Sequence, residues 1–219
     1  MGERIRGNGH ITSRQVNVGS FNGIDVSGAV NVHLKQDPNP SVKLETDENL
    51  VEFIEVFTEG NTLVIRTKNG YNLDPSREVV AYVSAPAFKA IGVSGASQIV
   101  GDNAISVNDQ MSLGASGASK IMLQLSGGDI TGEVSGASSL HLSGQVSKID
   151  VQASGASHVK AYDLATEDAV FDCSGASDAE VTANKNLRVE ASGASHIRYK
   201  GNASVSQSTS GASSISKEG

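Results

Sequence analysis

The stretch Ala153-Ser154-Gly155-Ala156-Ser157-His158-Val159 carries the pattern that decides the fold. Its central tetrapeptide, Ser-Gly-Ala-Ser, recurs with its first serine at Ser94, Ser116, Ser135, Ser154, Ser174, Ser192 and Ser210, and Ser27-Gly28-Ala29-Val30 is a variant near the start. Successive intervals are 22, 19, 19, 20, 18 and 18 residues. The residue before the motif is Val93, Ala115, Val134, Ala153, Cys173, Ala191 or Thr209, and the fifth after its first serine is Ile99, Ile121, Leu140, Val159, Ala179, Ile197 or Ile215. Both columns are of core type, and polar side chains alternate beyond them, the period-two pattern of a half-buried strand. A second alternating run closes each unit, as in Ile149-Asp150-Val151, Val170-Phe171-Asp172 and Leu187-Arg188-Val189-Glu190.

Repeats of this length with short strands and no helical periodicity leave few architectures. A leucine-rich repeat needs its Leu and Asn spacing and a return helix, and a propeller blade needs about 40 residues for four strands. The pattern predicts an all-β, single-stranded right-handed parallel β-helix with about 18–22 residues per coil, each coil about 4.8 Å above the last. The glycine column, Gly95, Gly117, Gly136, Gly155, Gly175, Gly193 and Gly211, is expected at a sharp bend requiring positive φ. The chain is read as a single β-helix domain, 1–219, with broader, less regular coils and a cap over 1–90 and regular coils over 91–219. Six of the nine aromatic residues, Phe21, Phe53, Phe57, Tyr71, Tyr82 and Phe88, lie in that first part. Strands are predicted there at 24–26, 30–35, 42–45, 63–68 and 79–83. A short helix is predicted over 47–54, with Asp47 as capping residue. Pro38, Pro40, Asn69-Gly70 and Asp74-Pro75 punctuate the loops.

Composition sets further bounds. With 38% hydrophobic and 4% aromatic residues, no Trp and 24 Gly, the core must be built from small and branched aliphatic side chains, which suits a narrow interior. A net charge of −7 without a run of Lys or Arg argues against nucleic acid or an anionic membrane as partner. The single cysteine, Cys173, allows no intramolecular disulfide. No stretch approaches the ~18 apolar residues of a membrane span, and Met1-Gly2-Glu3-Arg4 lacks the apolar core of a signal peptide. Either the chain stays in the cytoplasm or an export signal has been removed from it.

Several segments carry a family resemblance. Phe21-Asn22-Gly23-Ile24-Asp25-Val26-Ser27-Gly28-Ala29, Val32-His33-Leu34-Lys35-Gln36, Asp47-Glu48-Asn49-Leu50 and Phe88-Lys89-Ala90-Ile91-Gly92-Val93-Ser94-Gly95-Ala96-Ser97 resemble the putative auto-transporter adhesin, head GIN domain family. The likeness runs from about Gly7 to Ser216. It implies a β-helical fold, export to the cell envelope or exterior in Bacteroidetes-type bacteria, and no established catalytic residues. Fold and location transfer by such a resemblance better than activity does.

Catalytic and ligand chemistry was sought on the residues themselves. Cys173 as nucleophile would need His158 or His196 as base, yet it stands in a column otherwise filled by Val, Ala or Thr and reads as a buried structural cysteine. Gly127-Gly128-Asp129 occurs once, where a calcium-binding β-roll needs consecutive copies, and reads as a turn. Asp163, Glu167, Asp168 and Asp172 could supply paired carboxylates but read as solvated loop acids. The serine column Ser97, Ser119, Ser138, Ser157, Ser177, Ser195 and Ser213 reads as a structural ladder of stacked hydroxyls, with a flat glycan- or ice-contacting face as its alternative. Stacking in register would make Lys160, Glu180 and Arg198 a column of alternating charge. Beside it, His158, Asp178 and His196 would lie about 5 Å apart, close enough to converge on one ion. A functional zinc site usually needs a further ligand, so a hydrogen-bonded His-Asp-His stack is the expectation and neither metal nor cofactor is assigned.

The leading functional expectation is a non-enzymatic envelope or surface module, adhesin-like, that presents an elongated face to a glycan or protein. The alternatives are a polysaccharide-active β-helix enzyme and a self-assembling structural β-helix. The coil from Ser210 to Gly219 stops about halfway round, so its open edge is expected to be covered by a neighbouring chain or by a second copy in a homo-oligomer.

Overall fold

In the computed structural model, which describes residues 2–219, the chain is a parallel β-solenoid of about 7 turns. Its first nine strands are β1 (Glu3–Arg6), β2 (Ile11–Gln15), β3 (Gly23–Val26), β4 (Val30–Gln36), β5 (Ser41–Asp47), β6 (Ile54–Glu59), β7 (Thr62–Thr67), β8 (Tyr71–Asp74) and β9 (Val79–Ala85). The rest are β10 (Ala90–Val93), β11 (Gln98–Gly101), β12 (Ile105–Ala115), β13 (Lys120–Val134), β14 (Ser139–Ala153), β15 (His158–Cys173), β16 (Asp178–Ala191), β17 (His196–Lys200), β18 (Ser204–Thr209) and β19 (Ser214–Lys217).

The shape of one coil follows from where alternation fails. Along β15 the buried residues are Val159, Ala161, Leu164, Thr166, Ala169, Phe171 and Cys173. Strict alternation breaks after Ala161 and after Thr166, and again at the Ser-Gly-Ala-Ser motif. Three breaks make three corners, and therefore three flat faces. Face A precedes the motif, face B follows it, and the short face C joins them. The interior is one continuous cluster of Val, Ile, Leu and Ala with few rings, Phe171 being the largest fully buried side chain.

At the motif corner the glycines adopt φ of 67–72° in every regular coil, as the sequence predicts. The ladder continues straight through the turn. The Ala156 N–H donates to the Gly136 carbonyl at 2.8 Å, and the same bond recurs from Ala137 to Gly117 and from Ala176 to Gly155. The motif's last serine points inward, and Ser97, Ser119, Ser138, Ser157, Ser177 and Ser195 are all buried. Ser157 and Ser177 donate to the carbonyls of Ser154 (2.6 Å) and Ser174 (2.8 Å), closing the turn, while Ser138 Oγ accepts from the Ser119 N–H at 3.2 Å. Ser213, in the last coil, donates to the Gly193 carbonyl at 3.3 Å. In every coil but the last these hydroxyls lie buried inside the solenoid, away from any ligand-contacting face, and Ser213 is half-buried.

The expected strands of the first part are present as β3, β4, β5, β7 and β9, but their arrangement differs from a plain run of broader coils. On face A, β3 lies between β7 and β10, and on face B, β4 lies between β9 and β11, all parallel. Residues 62–85 therefore sit below residues 23–36, and the chain then passes back to continue the stack on the other side. The lower end is finished by antiparallel strands: β5 on β9, β2 on β5 and β6 on β7. Antiparallel closure ends the parallel edge that a solenoid would otherwise expose. The predicted helix is a 3-10 helix, Glu48–Phe53, and Asp47 makes no side-chain cap bond to it. Its buried carboxylate instead accepts from the Gly9 N–H (2.9 Å), the Ser76 N–H (2.8 Å) and the Ser76 hydroxyl (2.6 Å). Burial alone would raise its pKa, but these bonds outweigh burial and hold it below the ordinary carboxylate value. Among the described residues no helix is long and apolar enough to cross a membrane.

Candidate functional surface

Register fixes what face B displays. One outward column reads Gln98, Lys120, Ser139, His158, Asp178, His196 and Ser214, rung upon rung. The next reads His33, Val100, Met122, His141, Lys160, Glu180, Arg198 and Ser216. Of the 5 histidines, His33, His141, His158 and His196 thus share this face. Face A has the opposite character, its outermost column running Asp25, Gly92, Gly114, Glu133, Gln152, Asp172 and Glu190. The two glycines floor a shallow hollow of about 490 Å³ between Asp25 and Glu133.

His158, Asp178 and His196 do occupy successive rungs, but the expected three-membered stack is only half formed. His158 Nδ1 lies 3.4 Å from Asp178 Oδ2, whereas His196 Nδ1 turns the other way, to Ser214 Oγ at 2.8 Å. Among the described residues no three His, Cys, Asp or Glu side chains converge as a metal site. In the charged column, Arg198 pairs with Glu180 at 3.3 Å, and Lys160 has no carboxylate partner within salt-bridge distance.

A groove at the edge of face B lies beside a bulge. Between the pairs Ala161 with Val181 and Ala165 with Thr182, residues Tyr162, Asp163 and Leu164 have no opposite number in the coil above. A bulge of this kind bends the strand and re-aims its side chains. Two buried or half-buried threonines secure it: Thr182 Oγ1 donates to the Tyr162 carbonyl at 2.7 Å, and Thr166 Oγ1 to the Thr182 carbonyl at 2.6 Å. The groove has a volume of about 540 Å³ and is lined among others by Met122, Gln124, His141, Lys160, Tyr162 and Lys200. Lys200 Nζ sits 4.3 Å from the centroid of the Tyr162 ring. The Tyr162 hydroxyl is buried and has no hydrogen-bond partner among the described residues, and burial, then Glu180 and Glu218, raise its pKa. His141 is shifted down, first by burial and then by the positive fields of Lys120 and Lys160 and by His158.

The remaining sequence candidates are dispersed. Cys173 is fully buried, and burial, reinforced by Asp172 and Asp178, pushes its thiol up to about 12, so it is a poor nucleophile in the folded protein. Asp163 lies in the groove, Glu167 pairs with Lys185 at 3.0 Å, Asp168 accepts from Asn186 at 2.8 Å, and Asp172 faces solvent on face A. Gly127-Gly128-Asp129 forms a corner, with Gly127 at φ 126°. The groove itself was not read from the sequence, although one signal marked it: the 20-residue interval after Ser154, followed by intervals of 18, requires a bulge against the next coil.

A parallel β-solenoid closed at one end by antiparallel strands defines an all-β repeat protein. The chain belongs to the family described as putative auto-transporter adhesin, head GIN domain, whose model matches residues 20–203. No curated protein matches it. Among solved structures it is similar to a putative adhesin from Bacteroides fragilis, at 19% identity and a TM-score of 0.91 over 98% of this chain and 100% of that one. A putative lipid binding protein from Parabacteroides distasonis is similar at 22% identity and a TM-score of 0.81, over 99% of this chain and 100% of that one. A putative adhesin from the same species has 21% identity and a TM-score of 0.76, again over 99% and 100%. At these identities the likeness is one of fold.

Proposed function

We propose that this chain is a non-enzymatic module of the cell envelope or exterior, adhesin-like, that holds a glycan or a protein along face B. The observation that carries the reading is the groove beside the bulge, where charged, hydroxyl-bearing and aromatic side chains meet on an otherwise flat wall. Family membership supports the surface role. The polysaccharide-active alternative finds no carboxylate pair among the acids of the Ser154 coil: Glu167 and Asp168 are engaged with Lys185 and Asn186, Asp163 lies in the groove and Asp172 faces solvent on face A. A glycan and host-protein binding array, run on the native chain and on a face B variant, tests the proposal. Binding that disappears with Lys160→Ala and Tyr162→Ala supports it, binding untouched by them removes face B from consideration, and release of sugars from a polysaccharide panel favours the enzyme.

A further inference from the structure

We propose that the face B groove takes an acidic oligosaccharide, one with carboxylates repeated along its length. This rests on face B being the recognition surface, and adds the class of ligand. Lys120, His141 and Lys160 stand on three successive rungs, and Lys200 follows two rungs above Lys160. None of the three lysines has a carboxylate within salt-bridge distance among the described residues, while Asp178 is taken up by His158 and Glu180 by Arg198. Asp163 is left as the groove's free acid, against the ammonium groups of Lys160 and Lys200 in its lining and that of Lys120 on the neighbouring column. The lysines stand on alternate rungs, about 9.6 Å apart or about two pyranose steps, so every second acidic sugar can meet a cation, with His141 on the rung between Lys120 and Lys160. The Met122 side chain and the Tyr162 ring offer apolar surface to sugar C–H faces, and Gln124 and Ser143 offer hydrogen bonds to hydroxyls. A protein partner would be anchored through buried aromatic or arginine hot spots in a deep pocket, which this shallow polar groove does not provide.

His141 supplies a reporter. Burial, then Lys120, Lys160 and His158, press its pKa down, and a bound carboxylate favours its charged form, so occupancy by an acidic sugar is expected to raise its titration midpoint where a neutral sugar does not. The test is calorimetry and histidine-resolved NMR on the whole chain, with an oligogalacturonate as probe and a neutral galacto-oligosaccharide of equal length as control. The acidic probe is expected to bind with strong salt dependence and to lift the His141 midpoint. Lys120→Ala combined with Lys160→Ala, the first half-buried and the second exposed, should weaken it by about tenfold. Lys185→Ala, which alters only a distant ion pair with Glu167, should leave binding unchanged. Equal binding of the neutral sugar, full affinity in the double variant, or equally tight binding of inorganic polyphosphate would each overturn the proposal. Should the array instead deliver a neutral glycan or a protein whose binding needs face B, this inference falls while the surface-module reading stands. Binding indifferent to every face B substitution ends both.

Discussion

Gly155 shows how one residue can be held by two separate demands. Its φ is 70°, and a Cβ there would lie 2.6 Å from the Gly136 carbonyl oxygen. Gly114, on face A, has neither constraint, since an added Cβ would meet nothing within 4 Å. Urea unfolding should therefore show Gly155→Ala costing about 2 kcal/mol or more, and Gly114→Ala costing nothing or stabilising by about 0.5 kcal/mol. Equal effects would mean the motif corner is more pliable than its backbone ladder suggests. Cys173 gives a pH-dependent prediction. Its folded-state pKa of about 12 lies above the ordinary thiol value of 9.0, so below pH 9 the thiol is protonated in both states and adds no pH dependence. Between pH 9 and 12 only the unfolded chain releases the proton, and stability falls there by up to about 1.4 kcal/mol per pH unit. Cys173→Ala should flatten that decline, and in the native protein the thiol should resist a thiol reagent until urea exposes it. Both residues were legible beforehand, because aligned columns assign a turn glycine and a core cysteine without any knowledge of the third dimension.

At the scale of the element, β15 was legible in part. The motif sets register at the start of face B, so the order of Lys160, Glu180 and Arg198 could be read from the sequence. Where the two surplus residues of that coil would be accommodated could not, since a period-two pattern tolerates a bulge at any exposed position. The structure leaves Tyr162, Asp163 and Leu164 unopposed, held by the hydroxyls of Thr166 and Thr182, and recovers one residue at the next corner, where Asn184 and Lys185 stand against Glu167 alone. Side-chain direction within a column was equally hidden: His196 bonds to Ser214 although register alone also offers it Asp178. Tyr162→Phe should keep the fold and raise stability by about 1 kcal/mol, since it deletes a buried hydroxyl with no partner. A loss of stability in thermal unfolding would show that the hydroxyl is engaged in solution. Asp47→Ala should do the reverse to the lower end, costing about 3 kcal/mol by stranding the Ser76 and Gly9 donors that the carboxylate satisfies.

For the whole molecule, the repeat gave the stack of coils from Ser94 onward, while the order of the first rungs was out of reach. A parallel strand carries no local mark of which strand lies beneath it, so nothing in residues 23–36 announces that residues 62–85 will pass below them. The two ends differ as a result. Antiparallel strands close the lower one, while β18 and β19 pair on one side only, with β16 and β17. Light scattering on this chain should show concentration-dependent association through that upper edge, abolished by Ile215→Lys, which puts a charge where a half-buried core residue stands. A monomer at all concentrations would mean the edge protects itself. The same asymmetry bears on how the molecule comes into being. The rung formed by β3 and β4 is covered on both sides only after β7, β9, β10 and β11 have been made, so nearly half the chain must gather before any interior exists. Each later coil then needs only the coil before it as a template. Folding should accordingly have one slow nucleation, set by the first hundred residues, followed by rapid growth in a single direction, and a lesion near Ser192 should leave a shorter, still ordered stack where a lesion in β9 leaves none.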